Sequence, residues 1–150
     1  MKYFVISDLH SFATEVKAVL RQAGFNKKNK NHTLIVCGDV FDRGDKSLEL
    51  YKYLRSIPKK RCILIKGNHE TLYFELLNKN WPHYYDVTNG TLKTFFHIAE
   101  KPYTNYFLEN EWLNIRDYVA NHEITKWLRS DQWVDYFELD RFIFVHSFIP

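Results

Sequence analysis

Short apolar runs punctuate the chain and predict β-strands. They are Tyr3–Ser7, Thr33–Cys37, Cys62–Ile65 and Phe142–Val145. Each run is continuous rather than alternating and is rich in β-branched or aromatic residues. This pattern is typical of strands that are covered on both faces. We therefore expect these runs to form the centre of a sheet.

Helical patterns separate the first three runs. They occupy residues 13–25, where Gly24 is the expected stop, residues 46–57, which Pro58 closes, and residues 69–80. The apolar residues on one side of the first two are Val16, Val19, Leu20 and Phe25, then Leu48, Tyr51, Leu54 and Ile57. Regular alternation of strand and helix predicts an α/β fold with a parallel sheet.

The middle of the chain, about 81–135, follows a different pattern. It contains Pro82, Asn89-Gly90 and Pro102 and then long helical patterns rich in aromatic residues. We interpret it as a helical insertion packed beside the sheet, within a single domain of residues 1–150. Residues 133–147 then predict two strands joined at Leu139–Arg141.

Composition narrows the class of protein. The 150 residues are 45% hydrophobic and 17% aromatic, which favours a folded domain over disorder. The net charge is only +3, and the basic stretches at 26–31 and 58–61 are typical of solvated loops, so we expect no nucleic-acid partner. No membrane-length apolar run or signal peptide is present, which favours the cytoplasm. Cys37 and Cys62 lie within apolar runs and are expected to be buried free thiols.

Polar groups follow every predicted strand. They are Asp8 and His10 after the first run, Asp39, Asp42 and Arg43 after the second, Asn68, His69 and Glu70 after the third, and His146 after the fourth. In an open α/β sheet the carboxyl ends of the strands lie on one edge, with neighbours about 4.8 Å apart. We therefore expect these side chains to converge.

The chemistry of this set predicts a metal site. Several carboxylates in one crevice repel each other unless a cation neutralises them. Carboxylate, imidazole and amide donors without thiolate suit manganese, iron or zinc ions. A carboxylate between two such ions about 3.5–4 Å apart allows water to become a hydroxide nucleophile. Arg43 beside the site offers a forked donor to phosphate.

Taken singly, each group has a structural interpretation. Asp8 or Asn68 can cap a helix, Asp42-Arg43 can be a surface ion pair, and His146 can be an ordinary strand histidine. The occurrence of such groups after four separate strands, in this order, favours the metal interpretation over these alternatives.

The motifs "DLH", "GDVFDRG", "GNHE" and "VHSFIP" resemble those of the calcineurin-like metallophosphoesterases. The pair "GDxxDRG" and "GNHE" resembles the phosphoprotein phosphatase branch in particular. The resemblance runs from Asp8 to Pro150, and "TNGTLKTF" at 88–95 is similar to a stretch of bacterial and phage members. It implies a sandwich of sheets flanked by helices.

The resemblance also implies a role for each motif residue. The implied metal ligands are Asp8 and His10 for one ion, Asp39 as a bridge, and Asn68 and His146 for the second ion. His69 would protonate the leaving oxygen, Asp42 would orient His69, and Arg43 would hold the phosphate. A metal-bridging hydroxide would attack phosphorus in line.

The sequence departs from the family pattern in a few positions. Ser11 stands where the family usually has glycine, and Phe148 follows Ser147 where small residues are common. The family also continues with further strands of a second sheet, a further histidine ligand and often a further arginine. We therefore expect the C-terminal part of the second sheet to be missing, and two alternatives follow: either the chain is shortened at its C-terminus or the second metal site is incomplete. No motif assigns that ligand to the remaining histidines, which are His32, His83, His97 and His122.

These features favour a serine/threonine phosphoprotein phosphatase acting on a phosphorylated protein or a small phosphoester. The first alternative is a symmetrical dinucleoside polyphosphate hydrolase, because that subfamily shares the motifs. A second alternative is a catalytically impaired metal-binding module. Manganese is the expected activating metal in vitro, and iron or zinc suit the same ligands. The physiological substrate and the oligomeric state stay open.

Overall fold

A computed structural model describes residues 1–147 of the chain. The strands are β1 (Lys2–Ser7), β2 (His32–Cys37), β3 (Cys62–Ile65), β4 (Trp133–Val134), β5 (Phe137–Leu139) and β6 (Phe142–Phe144). The α-helices are α1 (Ala13–Gln22), α2 (Ser47–Arg55), α3 (Asn68–Leu77), α4 (Tyr84–Thr88), α5 (Thr91–Ile98), α6 (Asn105–Asn121) and α7 (Glu123–Leu128). The sequence departure at Phe148 lies outside the described residues.

The main sheet is parallel and has the strand order β1-β2-β3-β4. Helices connect its strands, so the predicted α/β class is confirmed. The fourth parallel strand is Trp133–Val134, however, and not the apolar run that begins at Phe142. That run forms β6, which pairs antiparallel with β5 in a separate hairpin. The expectation that the fourth run lies in the centre of the same sheet is therefore wrong, whereas the predicted pair of strands joined at Leu139–Arg141 is confirmed.

Chain length explains this difference. Only residues 135–141 separate β4 from β6, and β5 lies within that segment. A parallel neighbour needs a crossover of about a dozen residues or more. A two-residue turn at Asp140-Arg141, where Asp140 adopts a φ of 53°, permits an antiparallel hairpin instead.

The two faces of the parallel sheet are covered differently. Side chains such as Phe4, Leu34 and Leu64 face a large core that contains buried residues from α1, α2, α3, α5, α6 and α7. On the opposite face a smaller cluster of Ile35, Cys37 and Ile65 packs against Phe137 and Phe144 of the hairpin.

The hairpin leaves strand β1 uncovered on its side of the sheet. Val5 is 51% exposed, and Tyr3 on the same face is also exposed. The prediction that the first run is covered on both faces is therefore wrong. Because β1 is an edge strand, the short hairpin packed over β2 and β3 does not extend across it.

The outer helix α1 buries a narrower stripe than its sequence predicted. Ala13, Val16 and Leu20 are buried, whereas Val19 is 54% exposed. A helix with one neighbouring layer buries residues at i, i+3 and i+7, and Val19 falls just outside that line. Gly24 follows the helix with a φ of 85°, as the sequence predicted for a stop.

The region that the sequence assigns to an insertion contributes to the main core. Trp112, Ile115, Ile124 and Trp127 belong to the same buried cluster as the sheet residues. The range 81–135 also contains β4, which extends the parallel sheet. Within residues 1–147, no helix is both long and apolar enough to cross a membrane.

Cys37 and Cys62 are buried free thiols, as the sequence predicted. Burial raises the pKa of the Cys62 thiol to about 12. Burial, reinforced by the nearby negative charge of Asp8, also raises the pKa of Cys37. Both cysteines therefore stay protonated near neutral pH, which agrees with a site built from oxygen and nitrogen donors.

Candidate metal centre

The loops that follow β1 and β2 run side by side beyond the ends of the strands. The main-chain N–H of His10 donates to Asp39 O at 2.9 Å, and that of Ser11 donates to Val40 O at 2.9 Å. Gly44 N–H closes the arrangement by donating to His10 O at 2.9 Å. The register of the parallel pair thus continues into the loops and carries the His10 and Asp39 side chains to one place.

These loops contain a concentration of left-handed backbone. Positive φ angles occur at Asp8 (54°), His10 (43°), Ser11 (60°), Asp39 (54°), Asp42 (74°) and Arg43 (60°). Residues with a Cβ rarely adopt this region, and each costs on the order of 1 kcal/mol. Such strain clusters at functional sites, where surrounding contacts hold it in place.

Ser11 illustrates why glycine is usual in the family at that position. Its φ of 60° is easy for glycine and strained for serine. The serine hydroxyl compensates by hydrogen bonding to Ser47 Oγ at 2.9 Å, in a fully buried position. The departure from the family pattern therefore leaves the turn intact and ties it to the start of α2.

Glu70 anchors the same loops from the opposite side. Its carboxylate accepts main-chain N–H groups from Asp39 at 3.0 Å, Val40 at 2.9 Å and Gly67 at 2.7 Å. Burial raises the pKa of Glu70, while these three donors oppose the rise. Because all its partners are donors, the carboxylate form suits the site. The sequence predicted Glu70 as one of the polar residues after the third strand, at the start of a helix, but not as an anchor of these loops.

The buried imidazole of His10 has an unpaired nitrogen. Its Nδ1 lies 3.0 Å from Phe41 O, and a carbonyl only accepts, so Nδ1–H is the donor. In the neutral ring Nε2 then carries a lone pair. Within residues 1–147 this buried Nε2 has no hydrogen-bond partner, and it lies 3.7 Å from Asp8 Oδ1 and 3.8 Å from Asp39 Oδ2.

His146 reaches the same carboxylate from the hairpin. Its Nδ1 lies 2.8 Å from Cys37 O and must donate to it, which leaves a lone pair on Nε2 of the neutral ring. That Nε2 lies 3.0 Å from Asn68 Oδ1 and 3.4 Å from Asp39 Oδ2. Three electron-rich atoms therefore face one another.

This arrangement fits a cation. Among the described residues, two groups of side chains have ligand atoms within 4.8 Å of one another, namely His10, Asp39 and His69, and Asp8, Asp39 and His146. Asp39 belongs to both groups and is buried. Facing lone pairs repel each other in a site of low dielectric constant, and a divalent ion removes that repulsion. The donor atoms present here thus suit the metal chemistry that the sequence predicted.

A second set of contacts joins His69 to Asp42 and Arg43. His69 Nδ1 lies 2.6 Å from Asp42 Oδ2, and Arg43 Nη2 lies 3.3 Å from His69 Nε2. Because a guanidinium only donates, Nε2 accepts from Arg43 and Nδ1–H points to Asp42. Burial disfavours charge on His69, but the neighbouring Asp42 and Asp39 outweigh burial and raise the pKa of the imidazole.

Helix α5 supplies further contacts that sequence reasoning did not assign. Thr91 Oγ1 donates to Asp42 Oδ2 at 2.7 Å, and Thr94 Oγ1 donates to Asp42 Oδ1 at 2.7 Å. Both threonines are buried. The only sequence signal for them was the Asn-Gly stretch at 88–95.

The structure brings together all the residues that the sequence predicted for the site. They are Asp8, His10, Asp39, Asp42, Arg43, Asn68, His69 and His146. His146 joins them although its strand belongs to the hairpin rather than to the parallel sheet. Its hydrogen bond to the carbonyl of Cys37, the last residue of β2, explains how it reaches that edge.

The chain is similar in sequence to several bis(5'-nucleosyl)-tetraphosphatases. The symmetrical bis(5'-nucleosyl)-tetraphosphatase of Buchnera aphidicola subsp. Schizaphis graminum is 30% identical over 147 residues, which are 98% of this chain and 44% of that protein. The asymmetrical bis(5'-nucleosyl)-tetraphosphatase PrpE of Bacillus subtilis is 30% identical over 87 residues, 53% of this chain and 36% of that protein. The symmetrical enzyme of Psychromonas ingrahamii is 37% identical over 70 residues, 47% of this chain and 24% of that protein. The chain thus spans less than half the length of these relatives.

The family comparison covers almost the whole chain. Residues 1–149 match the calcineurin-like phosphoesterase family. This match agrees with the motif order, the parallel sheet and the convergence of donor side chains at its edge. The chain belongs to the calcineurin-like phosphoesterase family.

Proposed function

We propose that the chain hydrolyses phosphate ester or anhydride bonds with the help of two divalent metal ions, and that a dinucleoside tetraphosphate is its substrate. The observation that carries the metal part is the set of facing lone pairs around Asp39, in which the buried His10 Nε2 lacks a hydrogen-bond partner within residues 1–147. The substrate part is supported by the names of the relatives, which favour this alternative over a protein phosphatase.

In this proposal the two metal sites share the Asp39 carboxylate, which lies in both clusters of ligand atoms. Asp8, His10 and Asp39 would hold one ion, and Asp39, Asn68 and His146 would hold the other. When bound, such ions supply Lewis-acid activation of water and offset the negative charge of the phosphate. Manganese stays the expected activating metal.

In this proposal Arg43 binds the phosphate and His69 donates a proton to the leaving oxygen. The Arg43 guanidinium is exposed and offers a fork of N–H donors to the phosphoryl oxygens. Once a phosphate occupies that fork, His69 Nε2 is released from the guanidinium contact and is free to carry a proton. Nε2–H then donates its proton to the leaving oxygen, while Nδ1–H stays hydrogen-bonded to Asp42.

The first test measures metal-dependent hydrolysis of phenyl phosphate, whose leaving oxygen needs a proton, by the whole chain with and without Mn²⁺. We expect turnover that depends on metal and that falls in His69→Asn. The matched control is His83→Asn, which changes a surface histidine and should retain activity. Equal background from all three proteins would contradict the proposal and favour the catalytically impaired metal-binding module.

The second test identifies the substrate. Diadenosine tetraphosphate, incubated with the protein and Mn²⁺, gives two nucleoside diphosphates if it is cut in the middle, and a mono- and a triphosphate if it is cut to one side. We expect symmetrical cleavage, because the relative that spans 98% of this chain is named as a symmetrical enzyme. Release of phosphate from a phosphoserine peptide, with the tetraphosphate left intact, would favour the phosphoprotein phosphatase instead.

A further inference from the structure

Asp42 is held by more partners than its role as a neighbour of His69 requires. It is almost fully buried, and both of its oxygens are occupied. Oδ2 accepts from Thr91 Oγ1 at 2.7 Å and from His69 Nδ1 at 2.6 Å, while Oδ1 accepts from Thr94 Oγ1 at 2.7 Å. In addition, the main-chain N–H of Asp42 donates to Thr94 Oγ1 at 3.1 Å.

These contacts fix the direction of each proton. The Thr94 oxygen accepts from the Asp42 N–H, and its proton goes to Oδ1 at 2.7 Å, a much closer acceptor than Gly90 O at 3.4 Å. Oδ2, with two donors, directs a lone pair to the Nδ1–H of His69. The plane of the carboxylate is thus set by two hydroxyls from one helix face, three residues apart. The orientation of the His69 ring follows from it.

The backbone of Asp42 does not by itself orient the carboxylate, so the two threonine hydroxyls act as a clamp on it. Asp42 has a φ of 74° in a turn, where the chain alone does not determine how the side chain points. Without the hydroxyls, the contact with His69 is the one hydrogen bond that the described residues still give to the carboxylate. Proton donation depends on placing Nε2 to within a fraction of an ångström, so small rotations are costly.

Helix α5 is built to present these hydroxyls. Gly90, with a φ of 85°, caps the N-terminus of the helix directly against the main chain of Arg43, where a side chain would collide with the Arg43 nitrogen. Further along, Leu92, Phe95 and Phe96 are fully buried and fix the helix in the main core. Helix α5 is therefore held in place both at its N-terminus and by its buried apolar residues, so the two hydroxyls have fixed positions.

We propose that Thr91 and Thr94 are positioning residues that hold the Asp42 carboxylate, and through it His69, in the orientation for proton donation to the leaving oxygen. This inference rests on the proposed function, in which His69 is the proton donor. The threonines touch neither phosphate nor metal in this role. The proton that moves is the one on His69 Nε2, and the threonine protons stay on their oxygens.

Thr91→Val is the decisive variant, because it has nearly the same shape as threonine and removes one hydroxyl. Within residues 1–147 that hydroxyl has Asp42 as its partner, so the variant leaves no other group unpaired. Thr91→Ser is the matched control, since it keeps the hydroxyl. Thr94→Val is the second variant, although it also removes the acceptor of the Asp42 N–H.

Two substrates with different leaving groups distinguish a role in positioning His69 from a general effect on the structure. A p-nitrophenolate departs without much help, whereas a phenolate needs a proton. We expect Thr91→Val to lower kcat for phenyl phosphate by about 10-fold or more, less than the roughly 10²–10⁴-fold of a complete general acid. We expect p-nitrophenyl phosphate turnover and both KM values to change little, and Thr91→Ser to stay near wild type. An equal loss on both substrates would overturn the inference.

A cycle with His69→Asn tests whether Thr91 acts through His69. In that background Thr91→Val should have no further effect on phenyl phosphate. The same fold-loss in both backgrounds would overturn the inference. If His69→Asn itself matches wild type, the proposed function fails instead, so the two failures are distinct.

The inference can also be tested on the metal-free protein by NMR, without measuring turnover. The short Nδ1–H···Asp42 hydrogen bond should give a proton NMR signal far downfield of the amides, identified by its absence in His69→Asn. We expect this signal to weaken or shift in Thr91→Val and Thr94→Val and to persist in Thr91→Ser. An unchanged signal in both valine variants would overturn the inference.

Discussion

His10 and His146 approach the same carboxylate, that of Asp39, from differently built parts of the molecule. His10 is buried in a loop that is hydrogen-bonded along its length to the neighbouring β2 loop. His146 follows a short hairpin and is fixed by a side-chain hydrogen bond to Cys37 O. The first half of the site is thus part of the sheet edge, whereas the second half depends on how the hairpin docks.

This difference predicts two kinds of sensitivity. A substitution at His10 changes a site whose backbone is already fixed, so we expect it to remove a metal ligand without moving the other ligands. A substitution where the hairpin packs on the sheet shifts the position of His146, so we expect it to lower the affinity for the metal ion. The difference between the two halves is testable by substitutions in each of them and in the carboxylate that they share.

The largest effect is expected from Asp39→Asn, because both halves share this carboxylate. We expect turnover to fall by more than about 10²-fold. Removing a residue that merely hydrogen-bonds to a metal ligand costs up to about 10²-fold, and Asp39 is proposed to be a ligand itself. Thermal stabilisation by Mn²⁺, worth about 2.7 kcal/mol at a hundredfold excess over Kd, should also disappear. Metal-free Asp39→Asn should be no less stable than metal-free wild type, since a buried charge is removed. A large loss of metal-free stability would assign Asp39 a structural role instead.

The matched pair His10→Gln and His146→Gln tests the two halves directly. We expect His10→Gln to lower turnover by about 10²-fold and His146→Gln by about 10-fold. Calorimetric titration with Mn²⁺ should show that His146→Gln keeps one site of near wild-type affinity, whereas His10→Gln weakens binding at the buried site. Equal losses in the two variants would remove the distinction between the halves.

Glu70→Gln should destabilise the sheet edge rather than the chemistry. An amide places N–H donors where the main-chain N–H groups of Asp39, Val40 and Gly67 need an acceptor. We expect a loss of about 1–3 kcal/mol in the free energy of unfolding, measured with denaturant. Turnover per folded molecule should fall less than in His10→Gln. A variant as stable as wild type would show that the loops hold their shape without this anchor.

The smallest effect on turnover is expected from Phe144→Ala, which weakens packing of the hairpin on Ile35 and Ile65. We expect a higher Mn²⁺ requirement with little change in turnover at saturating metal, because His146 is loosened and not removed. The matched control is Val5→Thr, on the same sheet face but outside the hairpin. It should change the free energy of unfolding by less than about 0.5 kcal/mol and leave the metal response unchanged. Identical metal titrations for Phe144→Ala and wild type would contradict the role assigned to the hairpin.

The sequence predicted the sheet edge well, because that part of the fold is local. Each apolar run is directly followed by its polar groups, so finding the strand also finds the side chains at its end. Parallel pairing then brings Asp8, His10 and Asp39 together without further information. The same reasoning misplaced the run at Phe142, since strand pairing is a tertiary choice that the connection length decides.

The supporting contacts escaped sequence reasoning for a related reason. Glu70 reaches the main chain of residues 39 and 40 across some 30 positions, and Thr91 and Thr94 reach Asp42 across about 50. No spacing rule connects residues so far apart. The exposure of Val19 was missed because periodicity gives the direction of a helical face but not the width that its neighbours cover.

The hydrogen bond between His146 and the Cys37 carbonyl joins positions 109 residues apart. The chain leaves the ribosome from its N-terminus, so this contact forms after the elements that precede His146 have been synthesised. The strands that carry Asp8 and Asp39 can pair long before His146 is synthesised. We therefore expect the nascent protein to acquire its two metal-binding halves in sequence, so that uptake of the second ion follows docking of the hairpin.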